Sequence, residues 1–243
     1  MRCLVTAGNT REKIDRVRDW GNVFTGRTGL AIARALTTIG AVDLLTSNQQ
    51  HLDELEKEGG AIEAHGFLSH GMLKGELAGL MSSVKYDAVF MTAAVADYKP
   101  NGVWEIVERF GAENAAEQTW KVRRLSGEKI SSAHWEIAVV GEHTTKIIDL
   151  FRGEWGYQGL LVKFKLEVGL RKDELIAAGK KSREASGADY VVANTLEMVE
   201  GPQAGAFLIG KDGHEWVSRE KLPGRMVELV KQRYAGGSGK SNS

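Results

Sequence analysis

Short apolar runs alternate along this chain with stretches whose apolar positions recur every three to four residues, the pattern of strands followed by helices. Residues 4–7 form the first run, closed by Gly8, and read as a buried strand. Ile32, Leu36 and Ile39 stand at i, i+4 and i+7 and predict the inner face of a helix ending at Gly40. Residues 42–45 read as a second strand. Ser47 with Gln50 three residues on has the spacing of a capping box and predicts a helix carrying Leu52 and Leu55. Residues 62–67 predict a third strand, and Met72, Leu73, Leu77, Leu80, Met81 and Val84 stripe the next helix. Residues 87–94 are almost wholly apolar, as a strand covered on both faces would be. The class expected is α/β: a Rossmann-like, mostly parallel sheet with helices on both faces.

From Lys99 to about His134 the periodicity weakens and charges crowd in, which marks an inserted flap region over about 99–134. The regular pattern resumes with strands at 136–140 and 159–164, a helix over 173–186 stopped by Gly187, and a strand at 190–193. Residues 207–209 and 215–217 predict a hairpin around Asp212-Gly213. Pro223 suits the first turn of a last helix that points Met226, Leu229 and Val230 inward. The Gly/Ser-rich tail, 236–243, is expected to be disordered, leaving one domain over 1–235.

Composition narrows the function classes. The 32 basic and 32 acidic side chains among 243 residues balance, so no electrostatic footprint for nucleic acid is expected. No apolar run approaches the roughly 18 residues of a membrane span, and no secretory signal opens the chain, so a cytoplasmic protein is expected. Glycine is abundant, 29 residues against 3 prolines, which suggests close backbone approaches. The single cysteine, Cys3, reads as a buried apolar residue. The six histidines lack metal-ligand spacing, so no protein metal site is expected.

Chemistry concentrates at strand ends. The connection from Gly8 to the helix near Gly26–Gly29 is far longer than a usual βα loop and holds Gly21, Asn22, Thr25, Arg27 and Thr28. Such glycines let backbone N–H groups approach a phosphate at a helix N-terminus, although an ordinary surface loop would share the pattern. Residues 21–28 have the spacing of a phosphate-binding P-loop, but with Arg27 in place of lysine and well after the strand has ended. The dinucleotide fingerprint G-x-G-x-x-G, the Tyr-x-x-x-Lys pair and the G-x-S-x-G elbow are all absent. A second cluster, Thr92-Ala93-Ala94-Val95-Ala96-Asp97-Tyr98, ends a buried strand where open sheets bind ligands; Asp97 is there an acceptor or a turn former. Lys163-Phe164-Lys165-Leu166-Glu167 and Val191-Val192-Ala193-Asn194 end two further strands.

Together these stretches resemble the phosphopantothenoylcysteine synthetase family. The carriers are Val5–Arg18, Asn22 with Gly26-Arg27-Thr28-Gly29, Ala93-Ala94-Val95-Ala96-Asp97-Tyr98 and Val192-Ala193-Asn194, over about residues 2–234. The resemblance implies a ligase of coenzyme A biosynthesis. It would join 4′-phosphopantothenate to cysteine through an acyl-nucleotide, as a homodimer with a composite site, using ATP or CTP and Mg²⁺. It further implies that Asn22 contacts the activated carboxylate, that Ala93, Ala94 and Asp97 line the pocket, and that Arg18 reaches the substrate across the dimer. Gly8, Gly26, Gly29, Thr92, Ala93, Phe164, Lys181 and Asn194 would form the nucleotide site, and Lys129 would bind phosphate from the flap. Lys129-Ile130-Ser131-Ser132 lacks two lysines usual in bacterial members; Lys121, Arg123 and Arg124 read either as a solvated face or as phosphate-binding cations that would compensate. Phe164-Lys165-Leu166-Glu167 is closer to the eukaryotic pattern, which favours ATP. The flavin-binding half of bifunctional relatives has no counterpart here, so no flavin is expected. The alternative is a non-catalytic Rossmann-like nucleotide-binding module with a regulatory or interaction role.

Overall fold

A computed structural model describes residues 1–112, 115–201 and 204–235. In chain order the elements are β1 (Arg2–Ala7), β2 (Arg11–Lys13), β3 (Asp19–Gly21), α1 (Arg27–Leu36), β4 (Ala41–Thr46), α2 (Gln49–Glu58), β5 (Ile62–Gly66), α3 (His70–Ser83) and β6 (Ala88–Met91). There follow β7 (Tyr98–Phe110), β8 (Thr119–Arg124), β9 (Ile137–His143), α4 (Ile147–Gly153), β10 (Leu160–Glu167), α5 (Lys172–Ser186), β11 (Tyr190–Thr195), β12 (Gly205–Ile209), β13 (His214–Ser218) and α6 (Leu222–Ala235). The predicted tail at 236–243 lies outside the described residues.

The main sheet runs β5-β4-β1-β6-β10-β11-β12-β13. Its first six strands are parallel, and the last two form the antiparallel hairpin predicted around Asp212-Gly213. The strand order reverses between β1 and β6, so the sheet has one switch point there. Continuous apolar strands follow from burial on both faces. Cys3, Val5 and Ala7 of β1 and Phe90 of β6 pack with Leu30, Ala33, Met226 and Val230 of α1 and α6. Leu4 and Val89 pack on the opposite face with Leu73, Leu77 and Phe151 of α3 and α4. Gly187 closes α5 in the left-handed conformation, and Met226, Leu229 and Val230 are buried, as the sequence pattern requires.

Four local expectations are corrected. Asn48, not Ser47, caps α2, its side chain accepting the Gln50 N–H at 3.1 Å. Ser47 directly follows β4 and extends its pairing with β1, its N–H reaching the Ala7 carbonyl at 3.3 Å, so its hydroxyl faces the loop and accepts the Asn9 N–H at 2.8 Å. The long loop after β1 contains the small β2–β3 hairpin, whose Arg-Glu-Lys and Asp-Trp-Gly strands carry no apolar alternation. The strand expected at 136–140 does not join the main sheet. It becomes β9, antiparallel to β7, in a separate three-stranded sheet ordered β8-β7-β9, so the flap extends over 98–143. Met72 stays exposed, because α3 seats only Leu73 and Leu77 fully on the sheet. Helix α4 was not predicted; its signal is Ile147 and Phe151 alone, one i, i+4 pair.

Candidate active site

The switch point opens a cavity of about 680 Å³ at the carboxyl edge of the sheet, on the α1/α6 side. One side is the start of α1. Gly26 precedes it with φ 82, and no side chain caps the helix, so its first N–H groups face the cavity. A Cβ on Gly26 would stand 2.2 Å from the Gly8 nitrogen, and one on Gly29 would stand 2.7 Å from the Ala7 Cβ. Both positions therefore admit only hydrogen, which lets the helix start lie directly against the end of β1. Thr92 fixes the next strand exit: its hydroxyl donates to the Thr6 carbonyl, while the Ala93 N–H donates to the buried Thr6 hydroxyl at 3.1 Å.

Across the cavity stand Phe164, Val192 and Asn194 at the ends of β10 and β11, with Gly205 and Ala206 of β12. The far wall is a short 3-10 turn, Leu196–Met198. Arg219 pins this turn by donating to the Val199 carbonyl at 2.9 Å. The Thr195 hydroxyl and backbone N–H groups hold the Glu197 carboxyl below its usual range, so this wall carries a charge. Neither the 3-10 wall nor Arg219 was visible in the sequence. Arg219 follows a hairpin of no known partner, and Leu196-Glu197-Met198 is too short to show a period.

Gly8, Gly26, Gly29, Thr92, Ala93, Ala94, Phe164 and Asn194 thus wall one cavity. Asn22 stands at its edge. Its side-chain amide donates to the Ala94 carbonyl at 3.3 Å, and its backbone carbonyl accepts from the Asn9 side chain. The loop and the strand exit are further joined through Ala94 N–H to Gly8 O at 2.9 Å and Ala96 N–H to the Thr10 hydroxyl at 2.8 Å. Asp97 is exposed and makes no side-chain hydrogen bond among the described residues, unlike a turn former holding its own backbone.

Five expected residues lie outside the cavity lining: Asn22, which still bonds to the lining residue Ala94, and Asp97, Arg18, Lys129 and Lys181. Lys181 is exposed on α5, nine residues after its first residue Lys172, toward the end remote from the cavity. Arg18 and Lys129 belong to a separate contact between loop and flap. Arg18 pairs with Asp15 at 2.6 Å and donates to the Ile130 carbonyl at 2.6 Å, all within one chain. The compensating cations are also committed elsewhere. Arg123 pairs with Glu105, Lys121 lies 3.7 Å from Glu108, and Arg124 lies over Trp104 at 5.8 Å. They are spent within the flap sheet. Cys3 is fully buried, and burial pushes its thiol up to about 12, which leaves it no nucleophilic role.

Among the described residues, Asp43, Glu63 and His65 are close enough to share a metal ion. They lie on the face opposite the cavity, and the Arg2 guanidinium already binds both Asp43 oxygens at 2.7 Å. No helix is long and apolar enough to cross a membrane among the described residues.

A doubly wound α/β sheet with a glycine-floored cavity at its switch point defines a Rossmann-like protein built to hold a ligand against backbone N–H groups. Residues 1–106 match the family described as DNA/pantothenate metabolism flavoprotein, C-terminal domain. The chain carries this domain and is homologous to the C-terminal domain of the coenzyme A biosynthesis bifunctional protein CoaBC. It is 33% identical over 221 residues to that protein from Thermococcus kodakarensis, an alignment covering 87% of this chain and 45% of the relative. The chain therefore spans about half the length of the curated relatives it matches. The DNA/pantothenate metabolism flavoprotein from Streptococcus pneumoniae superposes with a TM-score of 0.76 at 26% identity, covering 96% of this chain and 99% of that one. A Cab2 mutant in complex with phosphopantothenate-cysteine shares the fold, with a TM-score of 0.70 at 15% identity over 98% of this chain and 88% of that one.

Proposed function

We propose that this chain is a phosphopantothenate–cysteine ligase, with ATP as the favoured nucleotide and CTP as the competing one. The observation that carries the reading is the single cavity in which Gly8, Gly26, Gly29, Thr92, Phe164 and Asn194 meet, with Asn22 at its edge. In the first step a carboxylate oxygen of 4′-phosphopantothenate attacks the α-phosphorus of the nucleotide and pyrophosphate leaves. In the second, the cysteine amine attacks the acyl carbon, the nucleoside monophosphate leaves with the C–O bond electrons, and the amine loses a proton. A free carboxylate is a poor electrophile, so the protein must hold two anions together and stabilise the charge that develops. The start of α1 and Arg27 face the phosphates, and the Asn22 amide orients the activated carboxylate. The carboxylates in the lining are Glu197 and Glu200. So few protein oxygen donors suit Mg²⁺ held chiefly by phosphates and water, where it neutralises charge. A homodimer is part of the proposal, supported by the exposed Val107, Phe110, Val122 and Val140 on the flap sheet.

The test is pyrophosphate release by the purified chain with 4′-phosphopantothenate and either ATP or CTP, followed by product formation when cysteine is added. Release with one nucleotide, dependent on phosphopantothenate, is expected. Nucleotide binding without release in either arm would favour a non-catalytic nucleotide-binding module instead.

A further inference from the structure

Asp15 belongs to the turn between β2 and β3, yet its side chain is only 1% exposed. One carboxylate oxygen accepts the N–H groups of Val17 and Arg18, each at 2.8 Å. The other accepts the Ile130 N–H at 3.1 Å and the Arg18 guanidinium at 2.6 and 3.0 Å. The Ile130 carbonyl accepts from the same guanidinium, so both backbone polar groups of Ile130 bond to this one pair, and its side chain is buried. Beside it, the Arg16 N–H donates to the Glu128 carbonyl at 2.9 Å, and the Arg16 side chain meets the Glu128 carboxylate at 2.6 Å. Lys129 lies between these two anchored residues and is itself exposed. Apolar packing of Ile130 alone would not fix the register of an exposed segment. A buried carboxylate with directional donors on two segments does.

We infer that Asp15 is a positioning residue, locking flap residues 128–130 onto the loop that carries Arg18 and Asn22 and so setting where Lys129 stands. The part that concerns Lys129 rests on the ligase reading above; the coupling of loop to flap does not. Loop and flap then move as one body, and Lys129 is delivered to the phosphates by the element that also presents Asn22.

The experiment uses the full chain carrying Asp15→Asn, with two readouts. Hydrogen exchange of residues 125–133 is expected to quicken while the main sheet stays protected. Pyrophosphate release without cysteine, at saturating nucleotide, is expected to fall about 10²-fold, the cost of a misplaced group. The KM for nucleotide should stay within about twofold, because its cavity lies outside the lock. Arg16→Cys with Glu128→Cys, added to Asp15→Asn, supplies a covalent substitute, since their backbone contact brings the two Cα atoms within disulfide reach. Oxidation should return most of the lost rate, and dithiothreitol should remove it again.

Unchanged exchange at 125–133 overturns the lock. A wild-type rate despite faster exchange, or a cross-link that leaves the rate low, overturns the positioning role. A wild-type chain that releases no pyrophosphate defeats the ligase reading, while the exchange readout still decides the lock. If Asp15→Asn does not fold, Arg18→Lys removes the donor to the Ile130 carbonyl and keeps the charge, with the same readouts.

Discussion

Asn22 is exposed, and among the described residues its side chain hydrogen-bonds to the Ala94 carbonyl alone, so its removal touches no packed core. Asn22→Ala should therefore cost little stability, about 0.5–1.5 kcal/mol for one hydrogen bond at most. If the amide orients the activated carboxylate, kcat should fall about 10²–10³-fold, the measured worth of one such donor elsewhere. Steady-state ligation beside a thermal melt separates the two effects, and near-wild-type turnover would remove Asn22 from the mechanism. Asp15 behaves differently. Burial alone would raise its carboxyl, but the N–H groups of Val17 and Ile130 and the Arg18 donors outweigh it and hold the group well below its ordinary range. A folded-state value below the unfolded one, about 3.9, gives stability that is present above that pH and is lost as the pH falls toward the folded value. Wild-type urea midpoints should accordingly drop below about pH 4 more steeply than those of Asp15→Asn. Parallel curves for the two chains would show that Asp15 contributes nothing to the acid limb.

Helix α1 shows how one element serves both stability and binding. Its seat on β1 and β6 depends on Gly29, where an added Cβ would meet the Thr92 hydroxyl at 2.4 Å and Ala7 at 2.7 Å. Gly29→Ala should cost about 1–3 kcal/mol through overpacking, lowering Tm by about 2–4 °C per kcal/mol in a chain of this length. It should also weaken nucleotide binding, since the helix start must lift; a full Tm with intact binding would contradict that seat. This helix was legible in the sequence because Ile32 and Leu36 repeat with its period, and the parallel strands were legible because both of their faces are buried. Six of the eight cavity residues lie toward strand ends and were legible for the same reason, since the end of a buried strand is where an open sheet receives ligands, while Gly26 and Gly29 were legible as glycines at a helix start. What the sequence did not reveal depends on partners distant in the chain. Nothing local says that β9 pairs with β7 rather than with the main sheet, that Asp15 meets Ile130, or that Arg219 holds the wall at Val199. Arg123 and Lys121 looked like free phosphate binders only because Glu105 and Glu108, their strand partners, were out of view.

For the whole molecule, the commitment of Arg18 to Asp15 and Ile130 of its own chain alters what a dimer is expected to share. Trp20 stays exposed, with one edge of its ring lying against Gly141 of β9. Mixed dimers of inactive Arg18→Ala and inactive Asn22→Ala chains should therefore stay inactive, because each site keeps one defect. Recovered ligation in proven mixed dimers would put Arg18 in the neighbouring site after all. The flap joins the rest of the molecule in an unusual way. Strand β7 leaves directly after Asp97 and β9 returns just before Thr144, and there the two ends touch. The Thr144 N–H donates to the Asp97 carbonyl at 2.9 Å, and its hydroxyl donates to the Ala96 carbonyl at 2.6 Å. An excursion whose exit and return are already bonded can be cut out without stretching what remains, since closing so narrow a gap costs little chain entropy. Replacing residues 98–143 by a short Gly/Ser bridge should leave a folded chain that still binds nucleotide, measured by calorimetry, and no longer ligates. The flap is thus spliced into the frame at one bonded point, and beyond that point its tie is the contact of residues 128–130 with the Asp15 loop.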